Sequence, residues 1–311
     1  MHGAVTGRAW LAAVLTILAD GPQPSSRPIA VVTPEGFSAL VELPPGEMAR
    51  TAAWRPGDGG LEWTELNLQG EGEARRIRVV VVRLEPARFR LTLENGMAPG
   101  GFLHVWNLER APAAAAVALN AGMFAGDGAW GWVVHAGVEY RAPRTGPLAA
   151  AVVVDSLGAV RLMDDAAVEA LRSTAGFGGI REAFQSYPVL LEDGGALPSL
   201  LTTPGREINL AHRDARLALG LDRAGRMIIA LTRFDALGPS FGSIPFGLTI
   251  PETALLMRGL GAETAVALDG GISAQLLLRD AAGGVHAWPG LRTVPLGLSA
   301  VPVGGMVSAR R

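Results

Sequence analysis

Short apolar runs alternate with polar turns along the chain, and most of the runs carry the two-residue period of strands. Residues 76–84 (RIRVVVVRL) and 88–93 (RFRLTL) are β-branched or alternating, with Pro86 in the link between them. Residues 150–155, the turn Ser156-Leu157-Gly158 and residues 159–163 predict a hairpin. Residues 215–222, Arg223-Ala224-Gly225 and 226–232 predict another, and 187–192, Asp193-Gly194-Gly195 and 196–197 a third. Helical spacing is rarer. Residues 165–173 start acidic and place apolar side chains at 167, 168 and 171. Residues 251–260 open on Pro251 and Glu252, stop before Gly261, and set Leu255, Leu256 and Leu260 on one face. The pattern predicts an α+β fold, a mixed, strand-rich sheet with a few flanking helices. No period of 20–50 residues suggests a solenoid or propeller.

The same pattern divides the chain. Arg8 precedes an apolar run over 9–19 that ends at Asp20-Gly21-Pro22, too short to span a bilayer and similar to the apolar region of a signal peptide. Ala19 suits a cleavage site, whereas Ile17 does not. The expectation is a signal peptide over 1–21 and a periplasmic or secreted mature chain; a cytoplasmic protein with an N-terminal helix is the alternative. Residues 22–36 read as a linker or irregular edge, 37–112 as a strand-rich N-terminal part of the main domain, 113–303 as its core and 304–311 as a tail. No later run reaches spanning length, so no transmembrane segment is expected in the mature chain.

Composition narrows the chemistry. The 311 residues are 49% hydrophobic and 18% charged, enough apolar material for a substantial core. A net charge of −2 and a pI near 6.2 leave no basic footprint for nucleic acid or anionic membrane. There is no cysteine, which removes disulfides, thiol nucleophiles and thiolate metal sites. All 27 basic residues are arginine, which excludes a P-loop lysine, a Schiff-base lysine and a Ser-Lys dyad.

Four segments combine glycine, a strand context and polar groups. Leu119-Asn120-Ala121-Gly122-Met123-Phe124 follows an apolar run and delivers Asn120 to a strand end, where open sheets place ligands; a simple Asn-Gly turn fits as well. Gln185-Ser186-Tyr187-Pro188 enters a strand, and Gln185 is able to bond a sugar hydroxyl. In His212-Arg213-Asp214-Ala215-Arg216, alternation sends Arg216 to one face with Ala218 and Gly220, whose small size leaves room for a two-point anion contact; an edge arginine in solvent is the plainer reading. In Leu268-Asp269-Gly270-Gly271-Ile272-Ser273-Ala274-Gln275, an apolar strand ends in a carboxylate beside backbone that a ligand can approach closely, which suits acid–base work or metal binding; an Asp-Gly hairpin turn is the competing reading.

Other motifs are weaker. Gly238-Pro239-Ser240-Phe241-Gly242 matches the nucleophile-elbow pattern, with Asp269 and His286 in hydrolase order, but Pro239, Pro245 and Pro251 interrupt the helix an elbow requires. Gly176-Phe177-Gly178-Gly179 has neither the lysine nor the frame of a phosphate loop. The five histidines, at 2, 104, 135, 212 and 286, have no metalloprotease spacing. Trp130-Gly131-Trp132 reads as core, or as a sugar platform if exposed.

The four segments, in this order, resemble the phosphodiester glycosidase family. Residues 120–124 resemble its Asn-Gly-Gly-Phe-Phe motif, 185–188 its Gln-Ser-x-Pro segment, 216–222 its Arg-x-Ala hairpin and 268–275 its Leu-Asp-Gly-Gly-Gly-Ser-x-Gln motif. Ile272 stands where the family has a third glycine, Ala274 where a second serine is frequent, and Ala121 and Met123 depart from the first motif. The resemblance implies hydrolysis of a sugar 1-phosphodiester, in a glycan or glycoconjugate. On that basis Asp269 is the essential carboxylate, with Glu139 a distant second, and Arg216, with His212, meets the phosphate. Asn120, Gln185 and Ser273 position the sugar, with Gly270 and Gly271 lining the site. No cofactor is expected to be required, and a divalent metal stays open. The alternatives are a non-catalytic polysaccharide-binding or exopolysaccharide-processing protein on the same scaffold, and a Ser240 hydrolase.

Overall fold

The computed structural model describes residues 29–33, 36–70, 74–95, 97–98, 101–102, 105–126, 128–174, 179–203, 209–234 and 247–304. The expected signal peptide, Ser240 and Gly176-Phe177-Gly178 lie outside them. The fold is α+β: three antiparallel sheets carry most of the structure and two ten-residue helices flank them.

The first sheet has nine strands. Its order runs Val189–Leu191, Ala262–Leu268, Leu217–Asp222, Met227–Phe234, Ile77–Leu84, Glu62–Gln69, Ala30–Thr33, Gly36–Ala39, with Arg55–Pro56 paired onto Glu62–Gln69. The unbroken run Val79-Val80-Val81-Val82 has a simple cause. Val80 and Val82 face a core shared by all three sheets, while Val79 and Val81 face the helix Ile250–Gly259. Both faces are covered, so alternation between apolar and polar is lost. The second sheet has the order Val285–Trp288, Leu276–Arg279, Val117–Asn120, Leu296–Pro302, Phe89–Asn95. The third has the order Val138–Arg141, Val133–His135, Ile180–Ser186, Ala150–Asp155, Val160–Asp164, with the helix Asp165–Thr174 packed on its outer face through Val168 and Leu171.

Two hairpins form as the sequence predicts, Ala150–Asp155 with Val160–Asp164 and Leu217–Asp222 with Met227–Phe234. The third does not. Val189–Leu191 pairs with Ala262–Leu268, and only an isolated bridge joins Glu192 to Ala196. Its apolar side chains gain more by joining the large sheet than by closing on two residues. The helix near 251–260 begins one residue early because Thr249 caps it: Thr249 Oγ1 accepts from the Glu252 amide at 3.3 Å and Glu252 Oε2 from the Thr249 amide at 2.8 Å. Its buried stripe includes Ile250, Ala254, Met257 and Leu260, whereas Leu255 is half-buried.

The segment with the largest consequence is 269–275. The hairpin reading of Asp269-Gly270 fails, because Ala262–Leu268 lies in the first sheet and Leu276–Arg279 in the second. A single 3-10 turn, Gly271–Ser273, carries the chain across. Leu268, Leu276 and Leu278 are all buried in the shared core, so the crossing is fixed by apolar side chains on both of its ends.

Candidate functional site

The strand Leu217–Asp222 places Leu217 opposite Leu268, so Arg216 and Asp269 leave adjacent strand ends. The approach to Arg216 is clamped. Asp214 and Leu248 exchange backbone hydrogen bonds of 3.2 and 3.1 Å, and the Arg213 guanidinium grips Glu252 through two bonds of 2.6 and 2.8 Å. Arg216 then donates from Nε to the Leu248 carbonyl at 2.8 Å and from Nη2 to the His212 carbonyl at 2.6 Å. Its Nη1 has no partner among the described residues. Burial lowers its pKa from the ordinary arginine value, without approaching neutrality at physiological pH.

The crossing loop lies against this segment. The Gly271 amide donates to the Ala215 carbonyl at 2.8 Å. Glycine is required at both places: a Cβ on Gly270 would sit 2.5 Å from the Ala215 oxygen, and Gly271 has φ of +56° with its Cβ direction 2.8 Å from Asp214 Oδ2. The loop is pinned from the other side by Asn120. Its Nδ2 donates to the Asp269 carbonyl at 2.9 Å and its Oδ1 accepts from the Gln275 amide at 3.0 Å. The Asp269 amide donates to the Gly122 carbonyl at 2.9 Å.

This clamping leaves the Asp269 carboxylate aimed at Arg292. Arg292 Nη2 donates to Asp269 Oδ2 at 2.9 Å and its Nε to Ser273 Oγ at 2.6 Å. The buried Ser273 hydroxyl lies on the same side and favours the charged form of the Asp269 carboxylate. The Asp269 side chain is 20% exposed and that of Arg292 44%, so the pair is open to a solute. Burial raises the Asp269 pKa, with Ser273 and Arg292 opposing it and the Asp214 charge adding to it. An ionisable carboxylate with an upward-shifted pKa, an arginine on it and a serine beside it can take a proton from water or bind hydroxyls.

The structure thus brings the segments of Asn120, Asp269, Gly270, Gly271, Ser273, Arg216 and His212 together. The side chains divide the work. Asn120 is fully buried and spends both amide atoms on the loop, so it sets the backbone of Asp269 rather than facing a substrate. His212 is exposed, with Nε2 at 3.7 Å from Asp214 Oδ2. Gln185 is drawn elsewhere. Its Oε1 accepts from the Trp132 and Arg144 amides at 2.7 and 2.9 Å, and its Nε2 donates to the Arg144 carbonyl at 2.9 Å and to Asp165 at 3.2 Å. Its amide is spent on fixing a loop, which leaves no free group for a sugar. Glu139 is bonded by Trp132 Nε1 at 2.7 Å and by Arg172 at 3.1 and 3.2 Å, on the outer side of the third sheet with the helix Asp165–Thr174. It buttresses that helix.

Arg292 and Asp214 escape the sequence reading. Arg292 follows Pro289-Gly290-Leu291 in a stretch with no strand or helix period, and only the fold folds it back, through the Leu291 amide on the Ile272 carbonyl at 2.7 Å. Asp214 is concealed by lying within a charged run. Two cavities, of about 780 and 430 Å³, lie away from Asp269. In the larger, Asp164 caps the Ala167 amide and Asp165 holds Gly146 and Gln185, so those carboxylates are already engaged. The open arrangement at Asp269 has the better chemistry. Among the described residues no group of three His, Asp or Glu side chains is placed to hold a metal ion, and no helix is long and apolar enough to cross a membrane.

Comparison with known proteins places the fold and the family. The catalytic domain of zebrafish N-acetylglucosamine-1-phosphodiester alpha-N-acetylglucosaminidase, in a form auto-inhibited by its pro-peptide, aligns with a TM-score of 0.58 at 14% identity, over 89% of this chain and 96% of that one. A hypothetical protein from Synechocystis aligns with a TM-score of 0.51 at 15% identity, over 91% of this chain and 69% of that one. At such identities these likenesses speak to the fold alone. None of the curated proteins matches the sequence. The sequence profile of the phosphodiester glycosidases matches residues 113–301, well over half of the chain and all of the segments just described, and the chain belongs to the phosphodiester glycosidase family.

Proposed function

We propose that the protein hydrolyses a sugar 1-phosphodiester, releasing the sugar and a phosphate monoester. The observation that carries this reading is the open Asp269–Arg292–Ser273 cluster at the end of one strand, with Arg216 leaving the adjacent strand end. In the proposed step a water oxygen bonds to the anomeric carbon and the bond from that carbon to the phosphate oxygen breaks. The bonding pair leaves on the phosphate, and the water's proton goes to the Asp269 carboxylate. A phosphate monoester, with a second pKa of about 6, leaves without a protonating acid. It gains from a fixed cation. Arg216 suits that role: two carbonyls hold the guanidinium in place and Nη1 is left for the anion, with His212 alongside. Arg292 and Ser273 oppose the rise that burial imposes on the Asp269 pKa and so favour its charged form.

Membership of the family supports the reaction class, and the activity in the zebrafish enzyme's name, on a sugar 1-phosphodiester, supports the same substrate class. Export from the cytoplasm, proposed on the apolar segment 9–19, is consistent with a glycoconjugate substrate. The test is turnover of hexose 1-(aryl phosphate) diesters, read as released hexose. Asp269→Asn should fold and lose about 10²-fold or more in kcat. Arg216→Lys should lose activity too, and a better aryl phosphate leaving group should restore much of it, because less charge needs stabilising. The same leaving group should not rescue Asp269→Asn, since it cannot activate water. Folded Asp269→Asn protein with wild-type turnover overturns the assignment. Binding of a glycan that survives this substitution, with no turnover of any diester, favours the non-catalytic alternative.

A further inference from the structure

Two aromatic rings that the reaction does not use stand at the same corner of the molecule. Gly122, whose carbonyl takes the Asp269 amide, is followed by Met123, whose carbonyl takes the Trp130 amide at 2.7 Å. On the neighbouring segment, Ser186 Oγ donates to the Ala267 carbonyl at 2.5 Å, and the Ala267 amide donates to the Pro188 carbonyl at 2.9 Å. Tyr187 therefore emerges beside the last residues of the strand that ends at Asp269. The Trp130 and Tyr187 rings meet edge to face, with centroids 4.6 Å apart and planes 65° from parallel. Both residues are only half-buried. Among the described residues neither Trp130 Nε1 nor Tyr187 Oη has a hydrogen-bond partner, and neither atom is enclosed.

Other tryptophans place Nε1 on a protein acceptor, as Trp132 does on Glu139 and Trp54 on the Ala49 carbonyl, or bury it, as Trp63 and Trp106 do. Here two half-buried rings meet edge to face with their polar atoms open to solvent. The corner thus offers aromatic surface with two solvent-open donors at its border, beside the strand end that carries Asp269. A pyranose has the complementary form, with a C–H face for the ring and equatorial hydroxyls for the donors.

We infer that Trp130 and Tyr187 form the platform that binds the sugar ring of the substrate, with Trp130 supplying the stacking surface and Tyr187 Oη bonding a ring hydroxyl. The inference rests on the proposed phosphodiester reaction, and it names the residues that read the sugar rather than the phosphate.

The probes are glucose 1-phosphate, N-acetylglucosamine 1-phosphate, mannose 1-phosphate and inorganic phosphate, titrated calorimetrically into the full chain. At least one sugar phosphate should bind more tightly than inorganic phosphate. Trp130→Ala should weaken that sugar phosphate about tenfold, the size of one aromatic contact, and leave inorganic phosphate unchanged. Tyr187→Phe keeps the ring pair and should narrow the preference among the three sugars. Trp130→Phe guards against misfolding, because it keeps a ring against Tyr187; it should retain part of the affinity. Sugar phosphate binding that is insensitive to both Trp130 substitutions, yet lost in Arg216→Ala, overturns the platform and leaves the reaction class standing. Failure of all three sugar phosphates to exceed inorganic phosphate overturns the platform, and a simultaneous lack of diester turnover removes the reaction class as well.

Discussion

Asn120 shows how a residue can hold a site in place without facing it. Its amide spans the backbone on both sides of the crossing loop, at the Asp269 carbonyl and the Gln275 amide, in a fully buried position. Asn120→Ala would strand two buried backbone groups and should cost about 2 kcal/mol or more in denaturant unfolding. Activity should fall with it, because the Asp269 backbone loses its fixed point. Arg233 acts in the same manner from below: one guanidinium nitrogen donates to the Ala274, Trp288 and Pro289 carbonyls, and burial pushes its pKa down to about 10. A guanidinium with that pKa remains charged at physiological pH, so its grip is unaffected by ordinary changes of pH.

At the scale of elements, the sequence is readable where one face or one cap determines the outcome. The strands near 76–84, 150–155 and 217–222 follow from β-branched runs bounded by turns, and the helix after Thr249 follows from Pro251 and Glu252. Glu252 does more than the sequence suggests, since it completes the cap and also holds Arg213, the residue that steers the chain toward Arg216. Thr249→Ala should cost about 1 kcal/mol, the ordinary loss for a cap. Glu252→Ala should cost more, about 2 kcal/mol, because it also leaves Arg213 without its carboxylate. A double-mutant cycle with Arg213→Ala separates the two contributions. The missed elements share a different cause. Whether Asp269-Gly270 turns a hairpin or crosses to another sheet depends on where Leu276 and Leu278 are buried, and that depends on the strand Val117–Asn120, far away in sequence. For the same reason Gln185 reads as a free polar group until Trp132, Arg144 and Asp165 arrive around it. Local pattern finds the carboxylate; tertiary contact assigns its neighbours.

Across the whole molecule, the second and third sheets meet at a charged seam. Glu182, almost wholly buried, faces His135 with Oε2 at 3.0 Å from Nδ1, and Arg181 reaches over to the Leu91 carbonyl at 2.7 Å. Glu94, held by Ser299 at 2.7 Å, and Arg90 complete the charged lining of the adjoining cavity of about 430 Å³. The Glu182 hydrogen bond raises the His135 pKa, against desolvation and with help from the Glu94 charge. A raised histidine stabilises the fold while it is protonated. Its contribution is therefore complete below the ordinary value of 6.5 and is lost as pH rises through the higher folded value. The melting temperature of the wild type relative to His135→Gln should decline across that window. A difference independent of pH would show that the pair carries no linked proton.

The passage of residues 269–275 from one sheet to another has a consequence for how such a protein can diversify. The acid is anchored by strands on both sides, so its position is inherited from the architecture. The groups around it, Ile272 at 44% exposure, Leu291 at 65% and the half-buried Trp130 and Tyr187, lie on turns and short connections that bear little of the core. Exchange at those rim positions can alter which molecule is accepted while the Asp269 carboxylate stays in place. A lineage built this way can change its diet without reinventing its chemistry.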